Sequence, residues 1–152
     1  MTKKILTLCL IHNDTHVLLG LKKRGFGEGR WNGFGGKPVE GETIEQAAMR
    51  EIKEEISVVP EDLKKRGVIN FEFQGNPETL EVHLFSATKF KGEPTEGEEM
   101  KPEWYAKDEI PFDKMWPDDR HWFPLFLAGK NFNADFFFKD NDTIISHEIR
   151  EA

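Results

Sequence analysis

The chain is predicted to be an α+β domain, with strands and two helices in mixed order and the helices packed on a sheet. Three observations predict this. Short apolar stretches rich in β-branched or aromatic residues recur between turn signals. A helix-start signature opens at Thr43, and a second apolar segment from Asp119 to Leu127 has helical spacing. At 152 residues the chain is read as one domain, 1–152, large enough for its own core.

Ile5 to Ile11 is an apolar run that reads as a strand, Asn13-Asp14 marks a turn, and Val17 to Leu21 returns as a second strand. Lys22, Lys23 and Arg24 form a strongly basic cluster. From Gly25 to Gly41 there are seven glycines, the pattern of a winding loop that a ligand can approach closely. Thr43 followed three residues later by Gln46 is a capping box, and Ala47, Ala48 and Met49 favour a helix that nothing breaks before Pro60. Val68 to Phe73 and Leu80 to Thr88 read as a hairpin across Gln74-Gly75-Asn76-Pro77, with Phe71 and Phe73 on one sheet face. A loop from Lys91 to Pro102 leads to a short strand, Glu103 to Ala106. The second helix turns Trp122, Phe123, Phe126 and Leu127 inward, with Pro124 near its first turn. Phe132 to Lys139 and Thr143 to Arg150 close the chain as a hairpin in which Phe136-Phe137-Phe138 is strand packing.

A net charge of −7 argues against tight binding to a nucleic acid polymer, which needs basic surface to neutralise phosphates. The single cysteine, Cys9, excludes an internal disulfide framework and reads as a buried thiol. The first residues are too short and poorly flanked for a secretory signal, and no apolar run approaches the roughly 20 residues of a membrane span. A cytoplasmic location is the expectation.

Chemistry concentrates on the capped helix. Glu51, Glu54 and Glu55 stand at i, i+3 and i+4, so three carboxylates share one face, while Arg50 and Lys53 are expected to project to the flanks. Such a face can simply be solvated. It can also hold a hard divalent cation such as Mg²⁺, which is bound by a few carboxylates together with substrate phosphates. The Gly-rich loop and capped helix at fixed spacing upstream favour the second reading. In Trp116-Pro117-Asp118-Asp119 the adjacent acids could cap the following helix. Alternatively, two neighbouring carboxyls in a partly desolvated pocket share a proton and present a base with both an acceptor and a donor, with Trp116 as stacking face.

The stretch from Gly36 through Glu42 to Arg50-Glu51-Ile52-Lys53-Glu54-Glu55 resembles the Nudix box, G-x5-E-x7-R-E-U-x-E-E-x-G-U, at every position except Ser57, which stands where the family has Gly. A residue there adopts the left-handed cap conformation, so Ser is expected to strain or shift the helix end while leaving the carboxylates in place. The resemblance implies a Nudix α/β/α sandwich around a mixed sheet, and hydrolysis of a pyrophosphate bond with Mg²⁺ or Mn²⁺. Lys22-Lys23-Arg24-Gly25-Phe26-Gly27, Gly29 to Lys37 and Met115 to Asp119 are similar to the animal MutT-like branch of that family, over about Leu6 to Arg150. That similarity implies hydrolysis of oxidised or otherwise modified purine nucleoside triphosphates to a monophosphate and pyrophosphate, by a monomer.

Carried over position by position, Asn32, Asp118 and Asp119 would hydrogen-bond the base, and Trp116 and Phe26 would sandwich or line it. Thr7, Phe71 and Phe73 would shape the pocket, and Lys22, Phe34, Gly35, Gly36, Lys37 and Pro117 would complete the substrate-binding set. Singly, Thr7, Phe71 and Phe73 also read as ordinary strand or core residues, and Asn32-Gly33 as a turn. Glu51, Glu54 and Glu55, the Gly35 carbonyl and Glu99 would bind metal, with Arg50 orienting the carboxylates through Glu42. Glu55 or Glu54 would take the proton of the attacking water. An ADP-ribose or dinucleoside polyphosphate pyrophosphatase, or a catalytically silent nucleotide-sensing domain, remain the rival readings. The five histidines are read as structural or exposed.

Overall fold

In the computed structural model, residues 2–152 are described. The elements follow in order: β1 (Thr2–His12), β2 (His16–Lys22), β3 (Trp31–Asn32), α1 (Ile44–Ile56), β4 (Val59–Pro60), β5 (Lys64–Phe73), β6 (Glu78–Ala87), β7 (Phe90–Lys91), β8 (Met100–Ala106), a 3-10 turn (Phe112–Lys114), α2 (Asp119–Leu127), β9 (Phe132–Asp140) and β10 (Thr143–Glu151). The predicted strands and both helices are present; most strands run a few residues beyond the expected bounds, α2 matches them, and β6 stops at Ala87, one residue short of Thr88. The two-residue strands β3, β4 and β7 carry no sequence period and were not expected.

The main sheet runs β10-β9-β5-β6-β1-β2-β3, with β8 on the other edge of β2 and a separate β4-β7 pair. It is mixed: β1 lies parallel to β6 and β5 parallel to β9, while the hairpins are antiparallel. Alternation along β1 feeds two cores. Cys9 and Ile11 pack with Ala48, Ile52 and Ile56 of α1, whereas Leu10 packs with Trp122, Phe123 and Phe126 of α2. The helices therefore cover opposite sheet faces, an α/β/α sandwich.

α1 begins as its sequence requires: Gln46 N–H donates to Thr43 Oγ1 at 3.1 Å and Thr43 N–H to Gln46 Oε1 at 2.9 Å. It ends on Ser57 at φ 63°, ψ 31°, whose N–H still reaches the Lys53 carbonyl. The helix keeps its end and Ser accepts the left-handed conformation, at a cost of roughly 1 kcal/mol. In α2 Pro124 is the sixth residue, beyond the first turn, and the helix stops three residues later. Its C-terminal end is gripped by buried Arg66 of β5, whose Nη2 donates to the carbonyls of Phe126 (3.0 Å) and Lys130 (2.6 Å). Orphan carbonyls at a helix end need such donors.

One irregularity makes the site. β1 and β2 pair only at Ile11–Leu18 and His12–Val17. Beyond that the strands part, and the Gly-rich loop takes the place of β2: Thr7 N–H donates to the Gly36 carbonyl, and Cys9 exchanges both backbone bonds with Phe34. Only glycine allows this approach, because a Cβ on Gly35 would meet the Thr7 carbonyl oxygen at 1.9 Å.

Candidate active site

The parting of β1 from β2 opens a cavity of about 280 Å³ on the α2 face, walled by strand side chains, the Gly-rich loop and the N-terminal end of α2. Thr7, Asn32, Phe71 and Phe73 line it, with Trp116, Asp118 and Asp119 at one end and Lys22, Gly35, Gly36 and Glu55 at the other. An apolar wall with a few convergent polar groups is the usual form of a small-molecule site. Phe71 and Phe73 serve as core and as wall together, since both also pack on Phe138.

Asp118 and Asp119 are 3% and 2% exposed. Asp118 holds the N-terminal position of α2 with helical backbone angles and no capping hydrogen bond, so the capping role is not what these acids perform. Instead Trp122 Nε1 donates to Asp118 Oδ2 at 2.8 Å, and Asp119 Oδ2 is buried with no hydrogen-bond partner. Burial raises both carboxyls. For Asp119 the charge of Asp118 raises it further, well above the ordinary range, while Trp122 N–H works the other way on Asp118. Burial and mutual repulsion therefore favour a proton shared between the two carboxyls and held more firmly by Asp119.

At the opposite end, Glu55 Oε1 accepts from Gly35 N–H at 2.8 Å. Burial, and then repulsion from Glu51 and Glu99, push the Glu55 carboxyl up to about 8 against the opposing Gly35 N–H and Lys22. Arg50 binds Glu42 with two nitrogens (Nε to Oε2 at 2.6 Å, Nη2 to Oε1 at 3.0 Å), as expected. Contrary to the expectation that it projects to the flank, its Nη1 also reaches Glu51 Oε1 at 2.9 Å and Glu54 Oε2 at 3.2 Å. A planar fork of donors can gather several carboxylates where an ammonium would serve one.

The donors suit a hard divalent cation. Arg50 engages one oxygen each of Glu51 and Glu54, and Gly35 N–H one oxygen of Glu55, so each carboxylate keeps a second oxygen on the same helix face. A Cβ on Gly36 would collide with the Glu51 carboxylate at 2.5 Å, so glycine is what admits that group beside the loop. Among the described residues no three acidic, histidine or cysteine side chains are already converged as ligands. Glu99, from the loop before β8, is paired with Lys22 at 3.2 Å and with Arg24 at 3.2 Å. Those cations hold its carboxyl below the usual range.

Three expected substrate residues lie elsewhere. Phe34 is fully buried in the α1-side core, because its backbone bridge to Cys9 turns the ring away from the cavity. Lys37 is exposed and only its carbonyl is used, accepting from Arg50 at 3.1 Å. Pro117 lines a separate outer cleft. Phe26 is 64% exposed and leans on Trp116 with ring centroids 4.9 Å apart. Sequence reading passed over Lys4, Leu6 and Leu8, which line the cavity from β1, and Arg30. The β1 residues share a face by strand alternation, a signal that was available. Arg30, inside a glycine loop, offered none.

Comparison with known proteins agrees with this geometry. The NUDIX domain family pattern matches residues 2–126. The chain is 55% identical over 151 residues to the mouse oxidized purine nucleoside triphosphate hydrolase, covering 99% of this chain and 97% of the relative. It is 52% identical over 151 residues to the zebrafish protein of the same name, with the same coverage. Among solved structures, the MutT protein of Bacillus halodurans superposes with a TM-score of 0.85 at 26% identity, covering 96% of this chain and 97% of that one.

Proposed function

Because this chain belongs to the Nudix family, we propose that it hydrolyses oxidised or otherwise modified purine nucleoside triphosphates to the monophosphate and pyrophosphate with Mg²⁺, sanitising the nucleotide pool. The observation that carries the reading is the buried Asp118–Asp119 pair in the same cavity as Glu55. The mouse and zebrafish relatives, named for that activity, support it. Net charge of −7 favours a small polyphosphate over a nucleic acid polymer.

At the base end, Trp116 offers a stacking face, charged Asp118 accepts from a ring N–H, and protonated Asp119 donates to a keto oxygen or ring nitrogen. Asn32 adds an amide at the cavity wall, though its Oδ1 already accepts from Gly33 N–H at 2.9 Å. Such a reader rewards bases whose edge shows a matching donor and acceptor. A buried carboxyl left unpaired by the wrong base is penalised.

At the phosphate end, Lys22 supplies a cation from the cavity wall. Glu51, Glu54, Glu55, Glu99 and the Gly35 carbonyl would hold Mg²⁺, which when bound neutralises phosphate charge and acidifies its water. Glu55 is the group suited to take the water proton, since a carboxyl raised to about 8 is a stronger proton acceptor, once ionised, than an ordinary glutamate. Arg50, tied to Glu42, holds Glu51 and Glu54 in place.

The test is kcat/KM with Mg²⁺ for 8-oxo-dGTP, 2-hydroxy-dATP, O6-methyl-dGTP, dGTP and ADP-ribose. Strong preference for the modified purine triphosphates over dGTP is expected. Preference for ADP-ribose, or no preference, would refute the base-reading role while leaving pyrophosphate hydrolysis standing.

A further inference from the structure

Arg30 joins three parts of the molecule at the base end of the cavity. Its guanidinium carbon lies 4.3 Å from the centroid of the Trp116 ring. Nη1 donates to the Asn141 carbonyl at 3.1 Å, and Nη2 donates to the Asp142 carboxylate. Both acceptors belong to the turn between β9 and β10, far from Arg30 in sequence. The Arg30 side chain is 21% exposed and that of Asp142 81%, so a sheltered cation is anchored to a surface turn. Arg30 lines the base cavity with Asp118 and Asp119, and it also lines the outer cleft with Asp142.

We propose that Arg30 is a positioning and specificity-determining residue: anchored by Asp142, it fixes the Trp116 ring and sets a positive charge beside the Asp118–Asp119 pair. The inference rests on the reading of Trp116, Asp118 and Asp119 as the base site.

Two features favour Arg30 over its neighbours. Phe26, the other group against Trp116, sits on an exposed loop and cannot hold the ring in place. Arg30 is also the cation whose charge acts on both acids, opposing the effect of burial. The other charged groups that line the cavity are Lys4 of β1, Lys22 of β2 and Glu55 of α1. Glu28, Asp113, Lys114, Arg120 and His121 share the outer cleft with Asp142. A guanidinium alone can lie flat on an indole while two of its nitrogens bond to a turn, so lysine would replace the charge and not the grip.

Arg30→Met, Arg30→Lys and Asp142→Asn are compared with the parent for 8-oxo-dGTP and dGTP, across the acid-to-neutral range, with Tm measured for each. Arg30→Met is expected to raise KM for 8-oxo-dGTP about fivefold to tenfold, with kcat changed less than about twofold. It should also move the acid limb of kcat/KM to higher pH, because the acids lose the cation that favours ionisation. Arg30→Lys should restore the acid limb but not KM. Asp142→Asn releases the anchor, so it should raise KM and move the acid limb in the same direction as Arg30→Met, but less far. An acid limb that moves the opposite way in Asp142→Asn would overturn the anchoring, as would unchanged KM and pH profile in Arg30→Met. Should Arg30→Met fail to fold, Arg30→Lys and Asp142→Asn still decide it by these expectations. A parent enzyme without preference for 8-oxo-dGTP would overturn the base-site reading itself; a parent with that preference and a silent Arg30→Met would overturn this inference alone.

Discussion

Asp119→Asn tests the shared proton through stability, without substrate or metal. Asp119 is buried, its Oδ2 has no partner, and burial followed by the charge of Asp118 pushes its carboxyl well above the ordinary 3.8. In the unfolded chain Asp119 loses its proton near that ordinary value; in the folded chain it keeps it to higher pH. Across that window the folded state binds one proton more, so its contribution is fully present below the unfolded pKa. The contribution falls by about 1.4 kcal/mol for each pH unit above it, until folded Asp119 ionises. Asparagine has nearly the same shape and no proton to lose. The variant should therefore gain on the parent by about 1.4 kcal/mol for each pH unit above the unfolded pKa, until folded Asp119 ionises. For a domain of this size each kcal/mol is roughly 2–4 °C, so the Tm difference should widen steadily as pH rises through that window. Thermal unfolding of both proteins at several pH values, without Mg²⁺ or nucleotide, measures it. A Tm difference that does not change with pH would show that Asp119 ionises alike in both states, and the donor role assigned to it would fall.

Glu55→Gln keeps an oxygen for Gly35 N–H and removes the basic carboxylate, so turnover should fall by about 10²–10⁴ while Tm at neutral pH, without metal, rises by the same linkage; pyrophosphate release near the parental rate would refute the role. Ser57→Gly relieves the left-handed backbone at the end of α1 and should stabilise by about 1 kcal/mol, read as a rise of about 2–4 °C in Tm. Arg66→Met leaves the Phe126 and Lys130 carbonyls without their buried donor, and a loss of about 1–3 kcal/mol in urea unfolding is expected. An unchanged midpoint there would mean that α2 is held by its aromatic face alone.

Local chemistry was legible because it acts over a few residues. Thr43 and Gln46 form the capping box that their spacing announced, and the end at Ser57 came where the family Gly would be. Alternation placed Phe136 and Phe138 in the core, and Gln74 to Pro77 closed the expected hairpin. The three-carboxylate face of α1 followed from helical period alone.

What pattern could not supply was which distant segments meet. Asp118 and Asp119 look equally like a cap or a base reader in sequence; only packing shows them buried, uncapped and facing a cavity. Phe34 lies inside a motif that reads as substrate-binding, yet its bridge to Cys9 commits the ring to the opposite core. Arg50 gathers Glu42, Glu51 and Glu54 because loop and helix converge, and Arg30 acquires Asp142 from a turn over a hundred residues away. The sequence by itself determined the longer elements, the capped carboxylate helix and the family, since periodicity and capping are written in adjacent residues. Tertiary structure decided which carboxyls are buried together and which cation stands beside them, because desolvation and Coulomb interaction depend on distance in space.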